Sequence, residues 1–221
     1  MTWAVEVWPE REYAAALAAR ITAALPSSGA VVITGGTTAA KIYRALDDLE
    51  PWDGLDVLFS DERCVDPNDE ASNYRMAMEL FLGRTSAKVH RMPGELDPVE
   101  GARRYHDDIG EIVVRGPHAA FMGMGPDCHV GALYPGSPAL DDPNYCAAVA
   151  RPDGMSGLTL TPTAMLACGS IDLLVTGVAK AEAVERAVLG SEPPETCPVR
   201  ALAEHGAVTM CIDEPAARLL S

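Results

Sequence analysis

Four polar clusters hold the residue types and spacings that chemistry needs, and each follows an apolar, strand-like run. The first is Thr34-Gly35-Gly36-Thr37-Thr38, set between such a run and a helix-forming stretch. Paired glycines let a backbone approach an anion closely, and a helix N-terminus presents free N–H groups and a partial positive charge. The turn has neither P-loop nor dinucleotide-loop spacing, which argues against ATP and NAD. A simple phosphate site and a Thr-capped βα turn both remain open. The second cluster, Ser60-Asp61-Glu62-Arg63-Cys64-Val65, offers a guanidinium for a phosphate. Either Asp61 or Glu62 suits orienting a hydroxyl or accepting a proton, and the same residues would also make a surface salt-bridge cluster.

The third cluster, Gly123-Met124-Gly125-Pro126-Asp127-Cys128-His129-Val130, puts a histidine just behind a Gly-rich turn. That is a place for a general acid or base, with Asp127 near enough to fix the tautomer of His129. Cys128 beside it is a poor nucleophile candidate, because adjacency in sequence seldom gives nucleophile–base geometry. In the fourth, Thr176-Gly177-Val178-Ala179-Lys180, the lysine opens a helix. A cation there opposes the helix dipole, which a bound anion would explain as well as simple solvation does.

These clusters need elements to position them. Residues 30–33, 55–59, 119–122, 171–176 and 207–212 read as short buried strands, and 39–46, 74–82, 98–113, 179–189 and 215–220 as helices. Within 98–113, Ala102, Tyr105, Ile109, Ile112 and Val113 recur at helical spacing. Such alternation predicts an α/β fold: an open, doubly wound, mostly parallel sheet with helices on both faces. Ligands of these sheets sit beyond the carboxyl ends of the strands, where all four clusters would meet. Residues 191–198 are the most linker-like stretch, yet too little chain follows for another domain. Residues 1–221 are therefore expected to form a single domain, long enough to bury a core without staples.

Seventeen Lys+Arg against 32 Asp+Glu leave a net charge of −15. That charge argues against nucleic acid and anionic membrane surfaces as partners, so an anionic substrate must be met by a few local cations and backbone N–H groups. No apolar stretch approaches the roughly 20 residues that span a bilayer, and no secretory leader is visible. Six scattered cysteines without a CxxC predict reduced, mostly buried thiols and a cytoplasmic protein. Five histidines and six cysteines never take a usual metal-ligand spacing. Oligomeric state is left open.

Taken in order, the four clusters resemble the 6-phosphogluconolactonase family over nearly the whole chain. Thr34-Gly35-Gly36-Thr37-Thr38 is similar to its S-G-G-S-T turn, and Ser60-Asp61-Glu62-Arg63-Cys64-Val65 to its S-D-E-R-x-V, with Ser72-Asn73-Tyr74-Arg75-Met76-Ala77 following. The segment from Gly123 to His129 resembles G-M-G-x-D-G-H, Leu133-Tyr134-Pro135-Gly136 resembles L-F-P-G, and Thr176 to Lys180 resembles T-G-x-x-K. The resemblance implies hydrolysis of the δ-lactone of 6-phosphogluconate in the pentose phosphate pathway, without metal or cofactor. It implies His129 as the acid/base that activates water and Asp127 as its support. Arg63, Lys180 and the Gly35-Gly36 turn with Thr37 would bind the phosphate, and Asp61 would lie in the same pocket.

Two departures stand out. Cys128 occupies the place of a family glycine, and Gly157 occupies that of a substrate-binding arginine in the segment similar to R-I-T-L-T. Arg151, six positions upstream, is the cation best placed to reach the same volume, with a surface carboxylate as its competing partner. The rival functions are a glucosamine-6-phosphate deaminase/isomerase on the same fold and a non-catalytic sugar-phosphate binding protein.

Overall fold

Short, mostly apolar runs build the interior. The computed structural model describes residues 3–220, which run in order β1 (Ala4–Trp8), α1 (Tyr13–Ala24), β2 (Ala30–Ile33), α2 (Gly36–Arg44), β3 (Asp56–Phe59), β4 (Asp61–Arg63), α3 (Asn73–Leu80), β5 (Lys88–His90), α4 (Pro98–Arg115), β6 (Ala119–Gly123), β7 (Cys146–Ala150), β8 (Ser156–Leu160), α5 (Pro162–Met165), β9 (Ser170–Val175), α6 (Ala181–Leu189), β10 (Val208–Asp213) and α7 (Glu214–Ala217). Seven strands form one sheet in the order β1-β10-β9-β6-β2-β3-β5, and every neighbouring pair is parallel. All of β2 is buried, as is β9 beyond its first residue, so both faces of the sheet are covered. Among the described residues, no helix is long and apolar enough to cross a membrane.

The strand order creates the site. From β2 the chain passes through α2 to β3 on one side, whereas β6 is followed by β9 on the other. The loops after β2 and β6 therefore part at adjacent strands, opening a crevice at the carboxyl edge. Its floor is tied down by Tyr43 of α2, whose hydroxyl donates to the Thr34 carbonyl at 2.7 Å. Tyr43 is anchored in turn by Phe81, 4.7 Å away between ring centroids.

Helix α2 begins at Gly36, three residues before the expected start. Gly36 sits at φ +92°, a conformation that glycine adopts without steric cost, so the N-terminal N–H groups of the helix belong to the turn itself. Lys180 precedes α6 as its N-cap, at the end of a short 3-10 turn, rather than standing inside the helix.

A second sheet, β4-β8-β7, is antiparallel and was not expected from the alternation of strands and helices. Its β7 reads Cys-Ala-Ala-Val-Ala, with only Val149 β-branched, so the usual strand signal is weak. Edge strand β1 has no fully buried residue, and α1 is alanine-rich with a weak apolar stripe. All six cysteines are free, Cys64 half-buried and the others buried.

Candidate active site

Gly35, Gly36 and Thr37 after β2, Asp61 and Arg63 on β4, His129 after β6, Arg151 after β7 and Lys180 after β9 all line one cleft at the carboxyl edge. Of the expected site residues, only Asp127 stands outside the lining, and it bonds the histidine directly.

Strand β4 separates two carboxylates that the sequence left equivalent. Alternate residues on a strand face opposite sides, so Asp61 and Arg63 face the cleft and Glu62 turns away. Glu62 Oε1 accepts from the Arg63 and Asn73 amides, each at 2.8 Å, and Oε2 accepts from Ser72 Oγ at 3.0 Å and the Tyr74 amide at 2.8 Å. It is a buried clamp between β4 and the start of α3. Burial pushes its carboxyl above the ordinary value, with those four donors pulling the other way. Asp61 accepts from Ser60 Oγ at 2.8 Å and from Asn73 Nδ2 at 3.3 Å.

His129 Nδ1 lies 2.6 Å from Asp127 Oδ1, and the backbone amide of His129 meets the same oxygen at 3.3 Å. The Gly125 amide donates to the His129 carbonyl at 2.8 Å, closing the turn that aims the ring. Burial works to raise the Asp127 carboxyl, but the hydrogen bond and charge of His129 outweigh it and hold the group below its ordinary value. Cys128 adopts φ +68°, the left-handed conformation that favours glycine, with its thiol turned into the interior. No geometry for a cysteine nucleophile results.

The cations differ in their commitments. Arg20, Arg75, Arg91, Arg103 and Arg186 hold carboxylates elsewhere in the molecule. Among the described residues the Arg63 side chain donates only to the Ala71 carbonyl, at 2.5 Å, and its buried Nε has no partner. Lys180 also has no ion pair among them; burial holds its ammonium below the ordinary lysine value, against the pull of Asp127. Arg151 lines the cleft and pairs with the carboxylate of Asp153, donating from Nη2 at 2.9 Å.

Sequence reasoning placed Asn73 and Tyr134 in motifs but not in the site. Asn73 packs over Gly35, where a Cβ would lie 1.9 Å from its Oδ1, so the glycine admits the side chain. Tyr134 lies 4.7 Å from the His129 ring, centroid to centroid, and under the Arg151 guanidinium. Thr38 and Thr176 join the first turn of α2 to the loop after β9 through a 2.7 Å hydroxyl pair. Among the described residues, no three of His, Cys, Asp and Glu gather to hold a metal ion.

The cleft thus combines a histidine oriented by a carboxylate with free cations and a helix N-terminus, a design suited to proton transfer on an anionic substrate. Residues 10–210 match the family described as glucosamine-6-phosphate isomerases/6-phosphogluconolactonase. A 6-phosphogluconolactonase of Synechocystis sp. is 30% identical over 89% of this chain and 88% of its own length. Another, from Caulobacter vibrioides, is 32% identical over 86% of this chain and 85% of its own. The solved 6-phosphogluconolactonase from Trypanosoma cruzi superposes with a TM-score of 0.88 at 21% identity, covering 100% of this chain and 98% of that one, a likeness of fold. By these matches and this architecture, the chain belongs to the glucosamine-6-phosphate isomerase/6-phosphogluconolactonase family.

Proposed function

We propose that this protein hydrolyses 6-phospho-D-glucono-1,5-lactone to 6-phosphogluconate in the pentose phosphate pathway, with His129 as the acid/base. The observation that carries this reading is the 2.6 Å contact of His129 Nδ1 with Asp127 in a cleft that also holds Arg63 and Lys180. With Nδ1–H donating to the carboxylate, Nε2 carries the lone pair. It takes a proton from water as the oxygen attacks the lactone carbonyl. The ring C–O bond then breaks, and the proton passes to the departing ring oxygen, which becomes a hydroxyl. Asp127 positions the imidazole and stabilises its charged form.

Phosphate is bound by Arg63, Lys180 and the N–H groups of the Gly35-Gly36 turn with Thr37, and Asp61 orients a sugar hydroxyl. The reaction uses no metal or cofactor, and the partner is a soluble phosphosugar lactone rather than nucleic acid or membrane. A cytoplasmic location suits that substrate. The test is initial-rate hydrolysis of freshly prepared lactone, corrected for spontaneous opening. Ammonia release from glucosamine 6-phosphate without lactone turnover would assign the deaminase reaction instead. Binding of 6-phosphogluconate with neither turnover would leave a binding protein.

A further inference from the structure

The antiparallel sheet aligns Arg63 of β4, Gly157 of β8 and Val149 of β7 across its strands. Directly opposed residues of such strands point to the same side, so position 157 faces the cleft beside Arg63. A side chain there would stand next to that guanidinium, and this chain has none. The backbone does not require glycine, since residue 157 lies outside the left-handed region. What the glycine supplies is room.

Arg151 takes that room. A Cβ at position 157 would lie 3.1 Å from Arg151 Cδ, 3.3 Å from Arg151 Cγ and 3.1 Å from the Glu62 carbonyl oxygen. The methylene stem of Arg151 therefore crosses the open face of Gly157, and its side chain is only 10% exposed although it springs from a turn. Its guanidinium carbon lies 5.9 Å from the Tyr134 ring centroid, within reach of a cation–π contact. Asp153 occupies Nε and Nη2, while Nη1 has no partner among the described residues.

We propose that Gly157 is a positioning residue for Arg151, and that Arg151, laid across it, joins Arg63 in gripping the phosphate dianion of the substrate. A planar guanidinium offers paired donors to phosphate oxygens, and Lys180 lines the same cleft. Without the gap at 157, the stem would be turned outward to solvent. The assignment of the phosphate to the substrate rests on the lactonase reading.

The test is a set of variants read by KM, kcat and affinity for 6-phosphogluconate and for inorganic phosphate. Arg151→Ala should weaken phosphate and 6-phosphogluconate by about ten- to 150-fold, the usual worth of one charged hydrogen-bonding partner. Gly157→Ala should raise KM more than it lowers kcat. The double variant should be no worse than Arg151→Ala alone, because a residue acting only through another is silent once that one is gone. Gly157→Arg in the Arg151→Ala background should recover part of the affinity. Arg151→Ala within threefold of the parent would overturn the proposal. So would a Gly157→Ala loss that persists undiminished without Arg151, which would trace it to the Glu62 carbonyl. A parent protein with no lactone turnover but Arg151-dependent phosphate binding would instead sink the lactonase reading and keep the pair.

Discussion

A Cβ on Gly125 would lie 2.0 Å from His129 Nδ1, so the histidine ring occupies the space that this glycine leaves empty. Asp127 Oδ1 would be 2.6 Å from the same atom. One added methyl group must therefore move the ring, its carboxylate partner or the turn. Gly125→Ala is expected to lower kcat about a hundred- to ten-thousandfold, the range for loss of a general acid/base. Affinity for inorganic phosphate should stay within about threefold, because the cations sit on other loops. Kinetics and phosphate titration on the same preparation check both halves.

His129→Asn should lower kcat over the same range and leave 6-phosphogluconate binding largely intact. Asp127→Asn should act on kcat too, by releasing the tautomer rather than removing the base. This carboxylate is held below its ordinary value of 3.8 in the fold. A depressed acid contributes stability that is present above its unfolded value and lost as pH falls through the folded one. Between neutral pH and the acid transition the parent should therefore lose more stability than its other carboxylates account for, and Asp127→Asn should remove that extra loss. Unfolding curves between pH 5 and the acid transition measure it.

Much of this site was legible because each cluster directly follows an apolar run too short for a helix. Arg63, His129 and Lys180 are far apart in sequence, yet the rule that ligands gather at the carboxyl ends of parallel strands brings them together without any contact being known. Asn73 and Tyr134 carry no such signal. Asn73 belongs to the site only because α3 leans its first residue over Gly35, and Tyr134 because the chain after His129 folds back on the ring. The division between Asp61 and Glu62 needed the strand β4, three residues long, whose alternation a sequence window cannot register. Arg151 and Gly157 meet through the register of β7 and β8, and β7 is too alanine-rich to announce itself as a strand.

Lys180 links substrate affinity to pH. Burial lowers its ammonium below the ordinary value of 10.5, and a phosphate dianion beside it would favour the charged form and raise it again. Binding of 6-phosphogluconate should then take up a proton on the alkaline side, and affinity should fall as pH rises through the lysine value of the free protein. Lys180→Arg should flatten that fall, since a guanidinium stays charged throughout. Lys180→Ala and Arg63→Ala should each cost about 1.5–3 kcal/mol of binding. Calorimetry in two buffers of different ionisation enthalpy reads the proton uptake directly.

Cys128 tests how tightly the histidine turn is specified. Its φ of +68° costs a residue with a side chain about 1–2 kcal/mol, which Cys128→Gly would recover. Against that stand the extra freedom of glycine in the unfolded chain, about 0.5–1 kcal/mol, and the lost burial of a small apolar group, about 1 kcal/mol. The two sides nearly cancel, so Cys128→Gly should change stability by less than about 1 kcal/mol and keep kcat, the turn being held by the bond from the Val199 amide to the Cys128 carbonyl at 2.9 Å. Cys128→Val meets the opposite fate. A β-branched residue is poorly tolerated at positive φ, and its extra methyl enters a site with no exposed surface, so overpacking adds about 1–3 kcal/mol to the backbone cost. Because His129 is the next residue, that strain should reach the ring and lower kcat while the phosphate affinity holds. Chemical denaturation and kinetics of the two variants side by side decide it. Equal loss of kcat in Cys128→Gly and Cys128→Val would mean that the thiol itself, and not the shape of the turn, supports the histidine.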